Sequence, residues 1–137
     1  MSRPLSPTAT FWLIAVPMLV TVAGFRLYLH LVRVQHVYPG GYLVHHLFWG
    51  VLLVLPAAFV LAFSPQRRAT LATALVLLGA GSGMILDEIV YLVATKASDD
   101  DYVSRPSLFG SLVFVTLALI VLGIIYRSSR GRRPGHR

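Results

Sequence analysis

The chain has no cysteine in its 137 residues. A disulfide scaffold, a thiolate metal site and a cysteine nucleophile are therefore excluded. Charge is also scarce: 12% of residues are Asp, Glu, Lys or Arg, about half the roughly 25% usual in soluble domains. Acidic groups are the rarest, with five Asp and Glu against twelve Lys and Arg. What fills the chain instead is apolar. Hydrophobic residues make up 56% and the mean hydropathy is +0.74, the composition of a lipid-embedded protein.

The net charge of +7 does not describe a nucleic-acid surface, because five of the eleven arginines follow Tyr126 in RSSRGRRPGHR. A basic tail beside a membrane span is a topology signal, and no aromatic-basic stripe accompanies it. The sequence thus predicts the lipid bilayer, and no nucleic acid, as the surroundings.

A helix needs about 20 mostly apolar residues to cross the hydrocarbon core. Four runs qualify, at residues 9–33, 42–63, 69–95 and 107–126, followed by a basic tail at 127–137. They are continuous rather than alternating, so helices are predicted and barrel strands are not. The connections are short, which favours antiparallel neighbours. The predicted fold is all-α: a single membrane-embedded, up-down four-helix bundle with four transmembrane helices. A cleaved signal peptide is the competing expectation for the first run. Its apolar stretch reaches about 17 residues before Arg26, longer than the usual h-region, and a small-x-small cleavage site is missing.

Arg3, Arg67, Arg68 and the tail arginines fall on one side. Arg33, Lys96 and Arg105 fall on the other, diluted by Asp99, Asp100 and Asp101. The bias predicts cytoplasmic termini.

Ionisable groups inside spans are costly and mark functional sites by default. Asp87 and Glu88 interrupt GSGMILDEIVYLVA in the third run. Arg26 and His30 lie in the first run, and His45 and His46 in the second. At about 1.5 Å per residue, Arg26, the histidine pair and the acid pair all rise about 27–30 Å above the cytoplasmic boundary. They are expected to meet in one layer at the outer edge of the membrane. Arg26 and His30 share a helix face, as do His45 and Trp49, and Asp87 and Tyr91. Adjacent residues point about 100° apart, so one member of each adjacent pair is expected to face the interior and the other a neighbouring helix or the interface.

Four chemistries remain open for this layer. A purely structural network would pair the acids with Arg26. A metal site would use His45, His46, Asp87 and Glu88 around a divalent transition metal, although no E-x-x-H pair is present. A proton or ion path would use the acid–histidine chain. An anionic ligand would use Arg26 and the histidines. The corresponding functions are an ion- or ligand-binding membrane protein, a membrane metalloenzyme acting on a lipid-like substrate, and a non-catalytic subunit of a membrane assembly or homo-oligomer.

Gly79 and Gly83 form a G-x-x-x-G pair inside a span, which predicts close helix approach. The loop SDDDY lacks the spacing of a calcium loop. The fourth run has no ionisable residue before Tyr126 and is expected to face lipid or a partner helix.

HHLFWG, LDEIVYL and the following DDDY together resemble small prokaryotic integral membrane proteins that share an HHL-x-x-G segment, a later L-D-E segment and an acidic loop with tyrosine. The resemblance covers roughly residues 42–107. It implies a prokaryotic inner-membrane protein and singles out His45, His46, Gly50, Asp87, Glu88, Asp101 and Tyr102. It implies no reaction.

Overall fold

The structure, a computed structural model, describes residues 5–32, 45–63, 67–94, 99–102 and 104–131. Helix α1 spans Pro7–Leu31, α2 His46–Ala62, α3 Arg68–Ala94, α4 Asp99–Tyr102 and α5 Arg105–Gly131. Three of them, α1, α3 and α5, are long and apolar enough to cross a membrane. The apolar α2 is shorter at 17 residues, about 26 Å of helix. The four long helices form an all-α bundle, with α4 as a single turn between α3 and α5.

Local signals account for the helix ends. Ser6 Oγ accepts the Ala9 N–H at 3.1 Å, and Pro7 occupies the first turn, where its missing N–H is not needed. Helix α1 therefore begins two residues before its apolar run. Ser104 Oγ accepts the Ser107 N–H at 3.5 Å, which opens α5 in the same manner. Helix α5 carries on to Gly131, past the end of its apolar run at Tyr126, so Arg127 and Arg130 belong to a helix. Pro17 and Pro56 are accommodated within α1 and α2. Arg3, Arg33 and Lys96 lie outside the described residues.

Helix α3 is the centre of the bundle and packs against α1, α2 and α5, while α1 also packs against α5. The backbones of α1 and α2, although consecutive in sequence, do not approach each other along their described lengths. Small residues explain why α3 can take this place. A Cβ on Gly83 would lie 2.6 Å from the Met18 carbonyl oxygen of α1, and one on Gly79 would collide with the Ile14 carbonyl oxygen. On another face, a Cβ on Gly81 would lie 2.6 Å from the Gly50 carbonyl oxygen of α2. Glycine lets the helix backbones touch, the kind of packing that holds membrane helices together without a hydrophobic driving force between them.

The buried apolar core is accordingly small, with Ala15, Met18, Ala57, Ala74 and Leu75 among its members. Large apolar side chains face outward instead: Leu27 is 61% exposed, Phe59 64% and Ile124 62%. An apolar exterior running the length of the helices suits lipid and would be an aggregation surface in water.

Helix directions alternate. The C-terminal ends of α1 and α3 meet the N-terminal ends of α2 and α5 at one end of the bundle, joined there by Arg26, His46, Asp87 and Ser107. At the opposite end, Thr8 of α1 lies 3.2 Å from the Tyr126 hydroxyl of α5.

Candidate functional site

The most deeply buried polar groups of the bundle lie together at its first end. Asp87 is 0% exposed and Glu88 2%. One of these neighbours is expected to face the interior and the other a neighbouring helix or the interface; both are buried, because α3 has partners on several sides and the two directions about 100° apart meet different helices.

Asp87 points toward α1, α4 and α5. Arg26 Nε donates to its Oδ1 at 2.5 Å, and Ser111 Oγ donates to the same oxygen at 3.0 Å. The Tyr102 hydroxyl of α4 donates to Oδ2. Arg26 spends its remaining donors on the backbone: Nη1 on the Tyr102 carbonyl at 2.7 Å, and Nη2 on the Asp87 carbonyl at 2.9 Å. Nη2 also reaches Ser107 Oγ at 3.2 Å. One guanidinium thus ties α1 to α3, α4 and α5, a use of its planar fork that lysine has no means to copy. Its Cζ also lies 4.4 Å from the centre of the Tyr102 ring, within cation–π range.

Glu88 points toward α2. Its Oε2 accepts the Leu47 N–H at 2.6 Å and its Oε1 lies 2.6 Å from His45 Nδ1. His45 is the N-cap residue of α2 but makes no side-chain cap. The capping acceptor comes instead from α3: the Glu88 carboxylate satisfies an orphan N–H of the first turn and sits at the positive end of the α2 dipole.

His46 bridges the two acids. Its Nε2 lies 3.4 Å from Asp87 Oδ2 and its Nδ1 3.3 Å from Glu88 Oε2. Nε2 is buried and closes no hydrogen bond. The ring is held by aromatic neighbours: Phe25 stacks on it at 4.5 Å with planes 11° apart, and Tyr102 meets it edge-on at 5.7 Å. Tyr91 completes the aromatic wall, 5.9 Å from the His45 ring and 5.4 Å from the Tyr102 ring.

Tyr102 lies on α4, outside the spanning helices. Burial first, and then the adjacent Asp87 carboxylate, push its phenol well above the ordinary value of 10.0. It therefore stays a neutral donor to Asp87 over the whole physiological range.

Six of the residues singled out from the sequence are thus brought together: Arg26, His45, His46, Asp87, Glu88 and Tyr102. Asp101 sits beside them on α4, half-buried, its carbonyl accepting from Ser104 Oγ at 2.5 Å. His30 does not join. It is exposed on the last turn of α1, without an ion pair or hydrogen bond to the cluster. It shares the helix face of Arg26 but lies one turn further toward the C-terminal end of α1.

The sequence also leaves α5 without a part in the site, and this needs correction. Ser107 and Ser111 are 0% and 1% exposed and serve Arg26 and Asp87. Their i, i+4 spacing on an otherwise apolar helix was the available signal. Phe25, stacked on the His46 ring, carries no such signal.

Among the described residues there is no group of three or more His, Asp or Glu side chains placed to hold a metal ion. The donor geometry gives the reason. Both Asp87 oxygens and Glu88 Oε2 already accept from N–H or O–H donors, and Glu88 Oε1 faces His45 Nδ1 at 2.6 Å. Two cavities lie elsewhere. One of about 260 Å³ is lined by Pro7, Phe11 and Tyr126 at the opposite end, and one of about 320 Å³ by Val20, Gly24, Phe25 and Met84.

The arrangement is a chain of alternating basic and acidic side chains, Arg26–Asp87–His46–Glu88–His45, closed by hydroxyl donors. No protein-family model matches the chain, and no curated protein or solved structure matches it either.

Proposed function

We propose that this is a multi-pass membrane protein whose polar cluster binds an ion. The reading places four spans in a prokaryotic cell membrane, both termini in the cytoplasm and the cluster at the outer face. Its membrane nature is supported by the three long apolar helices and the apolar exterior. Its orientation is supported by the Lys/Arg bias, and its prokaryotic setting by the resemblance of HHLFWG and LDEIVYL. The single observation that carries ion binding is His46: a half-buried imidazole between two carboxylates, with its buried Nε2 left without a hydrogen bond. A purely structural lock would be expected to close every bond it buries.

The test is thermal unfolding of the purified protein in detergent, across pH and with added alkali, alkaline-earth and transition-metal cations. The expected result is a midpoint that depends on one of these ions, the proton included, and that loses the dependence in Glu88→Gln. The same dependence in both proteins would refute ion binding at this cluster.

A second reading, a non-catalytic subunit of a membrane assembly, is supported by α5, whose Phe109 and Leu117 are 70% and 52% exposed. It expects a stable partner on purification that survives Glu88→Gln.

A further inference from the structure

The end of the bundle opposite the polar cluster carries charge of one sign. Arg67 and Arg68 stand at the start of α3 there, and Arg127 and Arg130 at the end of α5. The chain's five acids are Asp87, Glu88, Asp99, Asp100 and Asp101, all on α3 and α4 at the cluster end. Arg130 is exposed and, among the described residues, makes no ion pair.

Arg130 is nevertheless held in place. Its Nη1 donates to the Tyr126 hydroxyl at 3.1 Å, one turn back along α5, and its Cζ lies 5.6 Å from the centre of the Tyr126 ring. That hydroxyl lies 3.2 Å from Thr8 Oγ1 of α1, and the Phe11 ring of α1 lies 5.2 Å from the Tyr126 ring. The guanidinium thus sits where α1 and α5 are tied together. It carries more N–H donors than this one bond uses.

The cleft beside it is apolar. A cavity of about 260 Å³ opens between α1 and α5, walled by Leu5, Phe11, Leu122 and Ile125, with Tyr126 in its lining. Two hydroxyls also line it, but their protons go to backbone carbonyls. Thr10 Oγ1 donates to the Ser6 carbonyl at 3.2 Å, and Ser129 Oγ to the Tyr126 carbonyl at 2.8 Å. Along α5 the cleft runs from Leu122 to Ser129, about 10 Å of helix. A hydrocarbon chain therefore suits its walls, and an anion finds N–H groups at the Arg130 end. A guanidinium fork matches phosphate geometry, and basic side chains beside a span attract anionic lipid. Apolar walls and guanidinium adjoin at Tyr126, so one molecule with both a phosphate and a hydrocarbon chain satisfies both.

We infer that the α1–α5 cleft binds one anionic glycerophospholipid, its phosphate on Arg130 beside Tyr126 and an acyl chain along Phe11 and Leu122. The site lies at the opposite end from the polar cluster and does not depend on the ion-binding reading.

Titration of the full chain in detergent with phosphatidylglycerol, read by native mass spectrometry, tests it. Arg130→Gln is compared with Arg127→Gln, which removes the same charge from the same end of α5 at a position about 100° away from Tyr126. Diffuse attraction to a basic surface would weaken lipid binding by about fivefold in either variant. The site predicts a loss of about tenfold or more in Arg130→Gln and of no more than about fivefold in Arg127→Gln. Equal losses in the two variants would overturn the site. Phosphatidylcholine of the same chain length is expected to bind more weakly, and equal binding would overturn the anionic headgroup. Leu122→Trp, which fills the cleft and leaves every arginine in place, is expected to lose the lipid. Unchanged binding there would overturn the seat of the acyl chain. Inorganic phosphate alone is expected to leave the unfolding midpoint unchanged. A shift as large as the lipid's would mean a phosphate site without a chain and would overturn the lipid.

Discussion

Glu88 of α3 caps the first turn of α2, its Oε2 accepting the Leu47 N–H at 2.6 Å. A carboxylate that belongs to one helix thus completes another, and the same side chain holds His45. The acid is part of the fold as well as of the site, which separates the effects of two substitutions.

Glu88→Ala removes both the cap and the partner of the histidines. It is expected to destabilise the protein by about 2–4 kcal/mol, combining a lost cap with a broken buried pair. Glu88→Gln keeps an acceptor oxygen and is expected to cost less. Amide exchange at Leu47 in the two variants checks the difference: fast in the alanine variant, still protected in the glutamine variant.

The glycine contacts yield a packing series. Gly83→Ala and Gly81→Ala each set a Cβ about 2.6 Å from a carbonyl oxygen of the neighbouring helix, so the helices must move apart. The expected loss is about 1–3 kcal/mol each. Gly24→Ala meets nothing within 4 Å and is expected to be neutral or slightly stabilising. Unfolding midpoints in detergent rank the three.

Tyr102 sets the alkaline behaviour. Its phenol is raised in the folded protein from the ordinary 10.0. Above pH 10 the unfolded chain gives up this proton while the folded chain keeps it, so unfolding is favoured as pH rises. The contribution is fully present below pH 10. It is expected to fall by up to about 1.4 kcal/mol per pH unit above it. Stability measured from pH 9 to 11 should show this fall in the wild type and a shallower one in Tyr102→Phe.

The serines of α5 are expected to act through Asp87 and Arg26. Ser111→Ala removes one donor to Oδ1 and should cost about 1 kcal/mol. Ser107→Ala leaves Arg26 its Ser107 carbonyl contact at 3.3 Å and should cost less. Chemical unfolding of the two variants tests the order.

The helical class and the apolar runs could be read directly, because a helix in lipid must satisfy its own backbone and advertises itself as a long apolar stretch. Residue counting also put Arg26, His45, His46, Asp87 and Glu88 at one level, and they lie within bonding reach in the structure. What the pattern did not hold was neighbourhood. Periodicity tells which residues share a face but not which helices surround it, so it did not tell that Asp87 would meet α1 and Glu88 α2. Height along α1 separated Arg26 from His30, which share that face. Ser107 and Ser111 passed as ordinary members of an apolar helix, since a hydroxyl there can also bond its own backbone.

The measurement closest to the central claim is a double-mutant cycle on the pair that ties α1 to α3. Unfolding free energies of Arg26→Met, Asp87→Leu and the combined variant isolate their coupling. Each single change leaves an uncompensated buried charge and should cost about 3–5 kcal/mol, while the double variant should cost far less than the sum. A coupling above about 1 kcal/mol is predicted. Single costs that add to within about 0.5 kcal/mol would mean the two groups do not compensate each other, and a cluster held by charge compensation would be contradicted.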